Sequence, residues 1–312
     1  MSKGKFTYFR YFFKNAPSSL AVKVFHQPKK LTRFNGVKGI DLEKTDAVLQ
    51  NCLQSDKPFC AVHFGGTELG ALNNYEKIRL GLRKHYKKSV RYSMKNNAGF
   101  YPTDDKSLSK FGQTWLSECK DADVLGLMGL HMEDYFQDVY LPHSALVLYE
   151  GMEPLRGHWT RRLEGKKVLV ITPFADEVKD QYARREKLFL DEPEILPLFN
   201  LRVLRSPMTL GDESGVSPSF FDGLEKMKDE IRHIDFDVAL VGCGAYTSFL
   251  CFFIKSIGKQ AVQTGGATQT LFGIMGKRWE NRDHVAKHVN KDWIRPYKKA
   301  CGYAKIESGA YW

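Results

Sequence analysis

The sequence predicts an α/β fold, a mostly parallel sheet with helices on both faces, and three observations carry that expectation. Short apolar runs of strand character alternate with longer segments of helical period. Several of the short runs are uniformly apolar instead of alternating, which is the pattern of strands covered on both faces. The chain has 312 residues, 43% of them hydrophobic, enough for one large core or two closely packed lobes. Disorder and collagen-like repeats are excluded.

Taken in order, the first forty residues, with KNAPSS and QPKKLTRF, read as an irregular basic arm (1–40). A helix is expected over 42–53, then a strand over 59–64 and a second helix over 68–85. A helix over 108–120 precedes strands at 124–127 and 145–149. The stretch GMEPLRGHWTRRLEGKK is polar, basic and glycine-bearing, and marks a boundary between an N-terminal α/β lobe (41–160) and a C-terminal lobe (161–312). The two lobes can equally form one domain. Beyond it come the strand 168–171, the helix 177–189, the strand 201–204, the helix 219–231, the strand 238–241, the helix 246–257 and the strand 260–264. Each predicted helix places apolar residues three and four apart. The sum is a Rossmann-like arrangement of βαβ units.

Forty-seven Lys and Arg against thirty-six Asp and Glu give a formal charge of +11, which favours anionic partners without choosing among them. Basic residues interrupt every apolar run near the N-terminus, so no secretion signal is expected. The long uncharged, apolar run 238–254 contains Gly242, Gly244, Thr247 and Ser248 and reads as strand, turn and helix, not as a membrane span. The six cysteines, Cys52, Cys60, Cys119, Cys243, Cys251 and Cys301, show no C-x-x-C spacing. Reduced core thiols in a cytoplasmic protein are expected.

Ligands of open α/β sheets gather at the carboxyl ends of the strands, and four strand ends carry distinctive turns. In HFGGTELG, His63 ends a strand, Gly65 and Gly66 permit close approach of a ligand, Thr67 is a capping residue, and Glu68 suits a sugar hydroxyl or a divalent cation. An acid in a first helical turn also complements the helix dipole with no ligand at all. ITPFADE is a βα loop in which Pro173 stops the strand and Asp176 caps the next helix. VGCGAYTS offers Gly242, Gly244 and Tyr246 to a phosphorylated or oxygen-rich ligand. Thr247 stands where the third glycine of G-x-G-x-x-G belongs, which disfavours a dinucleotide fingerprint. The richest turn is AVQTGGATQTLFGIMGKRW. There Thr264, Gly265, Gly266, Thr268 and Gln269 suit a sugar or base edge, and Lys277 and Arg278 suit a diphosphate. Helix capping by Gln269 and a solvated face at Lys277 and Arg278 fit the same residues. The Walker A spacing fails here.

Weaker groupings are His131, Glu133, Asp134 and Asp138, which read as a solvated helix face, and His63, His143 and His158, which have no G-x-S-x-G nucleophile to serve. KHYKKSVRY and HWTRR mix basic and aromatic residues, yet no nucleic-acid module accompanies them, so no specific nucleic acid is expected.

GGATQTLFGIMGKRW and the terminal KIESGAYW are similar to a GGATQ-LFGI-GKRW signature and Tyr-Trp tail of bacterial capsule and surface-polysaccharide biosynthesis proteins. HFGGTE more distantly resembles the R-F-G-D-G-E stretch of GT-D-type glycosyltransferases, whose Asp-x-Glu pair binds the metal that carries a sugar-nucleotide diphosphate. Glu68 matches the glutamate, His63 replaces the arginine, and Gly66 replaces the aspartate. The resemblance implies a GT-D-like, cytoplasmic glycosyltransferase. It would move a sugar from a nucleotide sugar to a surface polysaccharide or lipid-linked glycan, with peripheral contact at the inner membrane face. The implied cofactor is Mn2+ or Mg2+ on Glu68, with one carboxylate of the pair missing and Lys277 or Arg278 as cationic substitutes. A catalytically inert nucleotide-sugar-binding protein of an assembly complex, or a methyltransferase, are the alternatives. All of these readings require the glycine corners and Glu68 to converge on one cleft. Oligomeric state is not encoded in any of these motifs.

Overall fold

The computed structural model describes residues 3–25, 33–208, 217–299 and 302–312. Cys301 and the QPKKLT segment of the basic arm lie outside the described residues. The elements run α1 (Lys3–Phe25), β1 (Arg33–Phe34), β2 (Val37–Lys38), α2 (Leu42–Gln54), β3 (Phe59–His63), α3 (Gly66–Arg79), α4 (Lys88–Asn96) and α5 (Asp105–Glu118). They continue with β4 (Val124–Leu127), α6 (Glu133–Tyr140), β5 (Ala145–Leu148), α7 (Tyr149–Met152), β6 (Lys167–Thr172), α8 (Ala175–Tyr182) and β7 (Asn200–Arg205). The last are α9 (Phe220–Arg232), β8 (Val238–Val241), α10 (Tyr246–Ser256), β9 (Gln260–Gln263), α11 (Thr268–Leu271) and α12 (Asp283–Ala286).

Seven strands form one sheet in the order β5-β4-β3-β9-β8-β6-β7, parallel throughout. Strands from both sides of the GMEPLRGHWTRRLEGKK stretch share it, because β9 pairs with β3 on one edge and β8 on the other. Successive strand residues feed opposite cores. Cys60, Val62, Leu169, Ile171 and Val241 join the cluster beneath α3, α5 and α10. Ala61, Val168, Val170, Leu240 and Val262 join the one beneath α2, α8 and α11. Burial on both faces is why these strands read as continuous apolar runs.

The helices start where the sequence supplies caps. Asp41, Asp104 and Ser219 each accept a hydrogen bond from a backbone N–H three residues on. Two expected helices are shorter than their periodicity suggested. The 68–85 segment leaves helical geometry after Arg79, at Leu80 and the positive-φ Gly81, and the 177–189 segment leaves it after Tyr182 for a 3-10 turn at Arg185–Lys187. The arm expected to be irregular opens as helix α1, whose Tyr8 and Tyr11 are buried and donate to Asn73 and Asp138. Helix α4 and the β1–β2 hairpin are further additions; the hairpin turns on Asn35 and Gly36, both at positive φ, as its Asn-Gly pair demands. Helix α6 corrects the solvated-face reading in part: Glu133 and Asp134 are buried, while His131 and Asp138 are exposed as expected.

Helices α3 and α5 meet at Gly112, where an added Cβ would lie 2.5 Å from Tyr75 Cγ and 2.7 Å from its Cβ. Gly112→Ala is expected to destabilise the fold by about 1–3 kcal/mol, the usual range for overpacking. A lower urea midpoint is the readout; an unchanged midpoint would mean the two helices can slide apart freely.

Candidate functional site

A cleft of about 680 Å³, open mouth included, lies at the carboxyl ends of β6, β8 and β9. The chain leaves β6 towards β7 on one side and leaves β8 towards β9 on the other, so the β6–β8 seam is a topological switch point where helices diverge and leave a crevice. The corners after these strands build the cleft: Pro173 and Phe174 after β6, Gly242 and Gly244 after β8, Gly265 and Gly266 after β9. Residues 96–99, from the end of α4 into the loop before α5, and Ile306 and Tyr311 of the C-terminal tail help complete it.

Backbone approach dictates the glycines. A Cβ on Gly242 would run into the Gly265 carbonyl oxygen and Thr268 Oγ1. Gly244 sits at φ +62 with the Ala98 carbonyl oxygen 2.8 Å from where a Cβ would be, and that carbonyl accepts from the Ala245 N–H. On the far wall the Tyr311 ring covers Gly266, leaving 2.5 Å between its Cε1 and a Cβ there. The tail is held by backbone bonds from Lys277 N–H to the Trp312 carbonyl and from Arg278 N–H to that of Ala310. Trp312, buried, donates to the Lys298 carbonyl and packs edge-on to Phe174.

The lining contains no Asp, Glu, His, Lys or Arg among the described residues. Its thiol is not a nucleophile at neutral pH: burial pushes Cys243 up to about 12, partly offset by Thr247. Its polar groups are amides and hydroxyls. Gln269 is wholly buried, its Nε2 donates to the carbonyls of Ile274 and Tyr311, and its Oε1 has no partner among the described residues. A buried acceptor left unmet is costly unless something else supplies the donor.

Of the residues singled out in sequence, Gly242, Gly244, Tyr246, Gly265, Gly266, Thr268 and Gln269 come together in this cleft. Thr264 lies just behind it, its hydroxyl bonded to Thr268 Oγ1 at 2.6 Å. Lys277 and Arg278 are exposed outside the lining, with Arg278 bonded to the Tyr311 hydroxyl and stacked on that ring. The β3 corner does not join, so the expected convergence of Glu68 with the glycine corners fails and any reading of the cleft rests on the β8 and β9 corners alone. Gly65, Gly66 and Thr67 are outside the lining, and the Glu68 carboxylate folds back over Gly65 at the start of its own helix, the position from which a carboxylate closes a helix N-terminus. Asp134 and Asp138 are held by α1 through Lys14, Asn15, Tyr11 and Arg10. Sequence reasoning missed residues 96–99, Pro207, Met208, Ile306 and the cleft-facing role of Tyr311; the Asn-Asn-Ala-Gly run was the available signal for the first of these.

Two buried titratable groups flank the strand ends. Burial, against a smaller pull from the Phe64 backbone, pushes His63 down to about 4. Its ring packs on Tyr149 with centroids 4.4 Å apart, and its Nε2 lies behind Gly265. Glu133 is pushed up to about 7 by burial, opposed by hydrogen bonds from the N–H groups of Met128, Gly129 and Leu130, which clamp the loop after β4.

No family model, curated protein or solved structure matches this chain.

Gly242→Ala is expected to cost about 1–3 kcal/mol or more, because the Gly265 backbone carbonyl, together with Thr268 Oγ1, blocks the methyl; chemical denaturation measures it. His63 gives a pH signature. Its folded value lies below the ordinary 6.5, so the unfolded chain binds the extra proton and stability falls as pH drops from 6.5 towards 4. His63→Leu should flatten that part of the melting-temperature profile. His284, also lowered to about 4 by burial and then by Arg156, leaves a residual slope of the same sign, while Glu133, raised to about 7 by burial, contributes one of opposite sign because the folded chain binds its proton first.

Proposed function

We propose that the cleft is the donor site of a glycosyltransferase and takes a nucleotide sugar. The observation that carries this reading is the Gln269 side chain, a buried amide in the wall with its orientation fixed by two carbonyls and its oxygen unmet. It sits in an uncharged cleft at the switch point of a parallel sheet, the usual address of nucleotides in such folds. Gln269, Asn96 and Asn97 offer hydrogen bonds to a base and ribose. Arg278, anchored on Tyr311 at the rim, is the cation for the departing diphosphate. The acceptor, a surface polysaccharide or lipid-linked glycan, rests on the resemblance of GGATQTLFGIMGKRW alone.

The lining does not fit a divalent cation, since it includes no carboxylate among the described residues and Glu68 is folded onto its own helix. No step through Mn2+ or Mg2+ is therefore derived. The same lack of an ionisable acid, base or nucleophile in the lining favours one second reading, a catalytically inert nucleotide-sugar-binding protein.

Thermal melting with UDP-, GDP- and CMP-sugars and with S-adenosylmethionine tests the proposal. A saturating donor at a hundredfold its Kd should stabilise by about 2.7 kcal/mol, a rise of several degrees, and S-adenosylmethionine should give none. Arg278→Ala should reduce the nucleotide-induced rise and Glu68→Gln should leave it intact. Release of nucleoside diphosphate separates transferase from inert binder. Stabilisation by S-adenosylmethionine alone would overturn the reading.

A further inference from the structure

The chain's charge is concentrated at one end. Its first acidic residue is Asp41, so the first forty residues carry nine Lys and Arg and no Asp or Glu, against +11 for the whole chain. Helix α1 occupies most of that segment and is two-faced over its described side chains. Tyr8, Tyr11 and Asn15 are buried against α3 and α6, with hydrogen bonds to Asn73, Asp138 and Asp134. The opposite face presents Phe6 and Phe13, 64% and 67% exposed, with Phe9 stacked on Phe13 at 6.1 Å. These three rings fall at i, i+3 and i+7, one strip along the helix. Large aromatics left in water on an ordered, anchored helix signal a partner more strongly than scattered surface residues do.

The strip is edged with cations. Arg10 and Lys14 are each more than half exposed on the same helix, and they also face Asp138 and Asp134 at 4.0 and 3.0 Å. Lys5 reaches towards Gly81, just beyond the end of α3. There Lys77 lies over the Phe12 ring and is held below its usual range by burial and then by Lys87 and Arg83, so the neighbouring surface is basic as well. No helix among the described residues is long and apolar enough to cross a membrane.

We propose that the outer face of α1 is a membrane-docking surface that lies flat on an anionic phospholipid leaflet, Phe6, Phe9 and Phe13 entering the interface while Lys5, Arg10 and Lys14 meet the phosphates. Phenyl rings have no hydrogen-bonding groups to satisfy in the acyl boundary, and long basic side chains on either side reach back to the headgroups. A single strip of rings parallel to the helix axis matches a planar surface. Reading of single-stranded nucleic acid instead needs rings spaced along a groove that tracks a backbone. The face shares no residue with the cleft, and the inference stands apart from the donor reading.

Co-sedimentation of the full chain with phosphatidylcholine vesicles, with and without phosphatidylglycerol, tests this. Binding is expected only with phosphatidylglycerol and should weaken as salt is raised. The double variant Phe6→Ser, Phe13→Ser should bind at least about tenfold more weakly with its urea midpoint unchanged, because both rings are outside the core. Lys5→Glu should weaken binding in the anionic vesicles. Equal binding to both vesicle types, full binding by the double variant, or displacement from vesicles by a single-stranded oligonucleotide would overturn the proposal. Nucleotide-sugar-induced melting shifts should be the same in the double variant, which keeps failure here distinct from failure of the donor site.

Discussion

The structure depends on the place taken by β9. This last strand of the sheet lies between β3 and β8, hydrogen-bonded to both, so strands from segments far apart in the chain meet in one sheet through it. A parallel pair cannot be made by a hairpin and needs a crossover. The fold therefore carries a long-range constraint at its centre. Gln260 reinforces it: its Nε2 donates to the carbonyls of Cys52 and Lys57, tying the start of β9 to the segment that leads into β3.

The cleft is a consequence of that placement. With β8 and β9 adjacent, their corners arrive together, and Gly242 and Gly265 approach closely enough that a side chain on the first would strike the second's carbonyl. The C-terminal tail then closes the site, with Tyr311 lying against Gly266 while Trp312 is anchored in the second core. Walls made of apolar side chains and rings with a few amides and hydroxyls suit an uncharged portion of a ligand, and Lys277 and Arg278 stand outside the lining. Such a site discriminates by shape and hydrogen bonding before charge.

Buried ionisable groups hold the surroundings without entering the lining. Glu133 accepts three backbone N–H bonds that would otherwise be unmet where the chain leaves β4. Glu76, wholly buried, is bonded by Arg79, Tyr135 and Tyr140, which lowers its pKa despite its burial and links α3 to α6. His63 fills space as a neutral ring between β3 and the β9 corner. Charge in this fold is placed in the supports of the strand ends.

The sequence by itself determined the seven strands of the main sheet, two of them, Val124–Leu127 and Val238–Val241, end to end. It also determined the glycine corners at β8 and β9. Both are local properties: burial on two faces writes a run of apolar residues, and a turn that admits no Cβ requires glycine. Helix α1 was illegible because basic residues interrupt its apolar runs, aromatics fall on both of its faces and KNAPSS punctuates it, and its stability comes from Tyr8 and Tyr11 docking on distant elements. Only the tertiary structure decided that β9 would enter between β3 and β8, that residues 96–99 and Tyr311 would wall the cleft, and that Glu68 would turn back to its own helix. Those outcomes follow from which surfaces bury each other across long stretches of chain, and no window of a few residues records that competition.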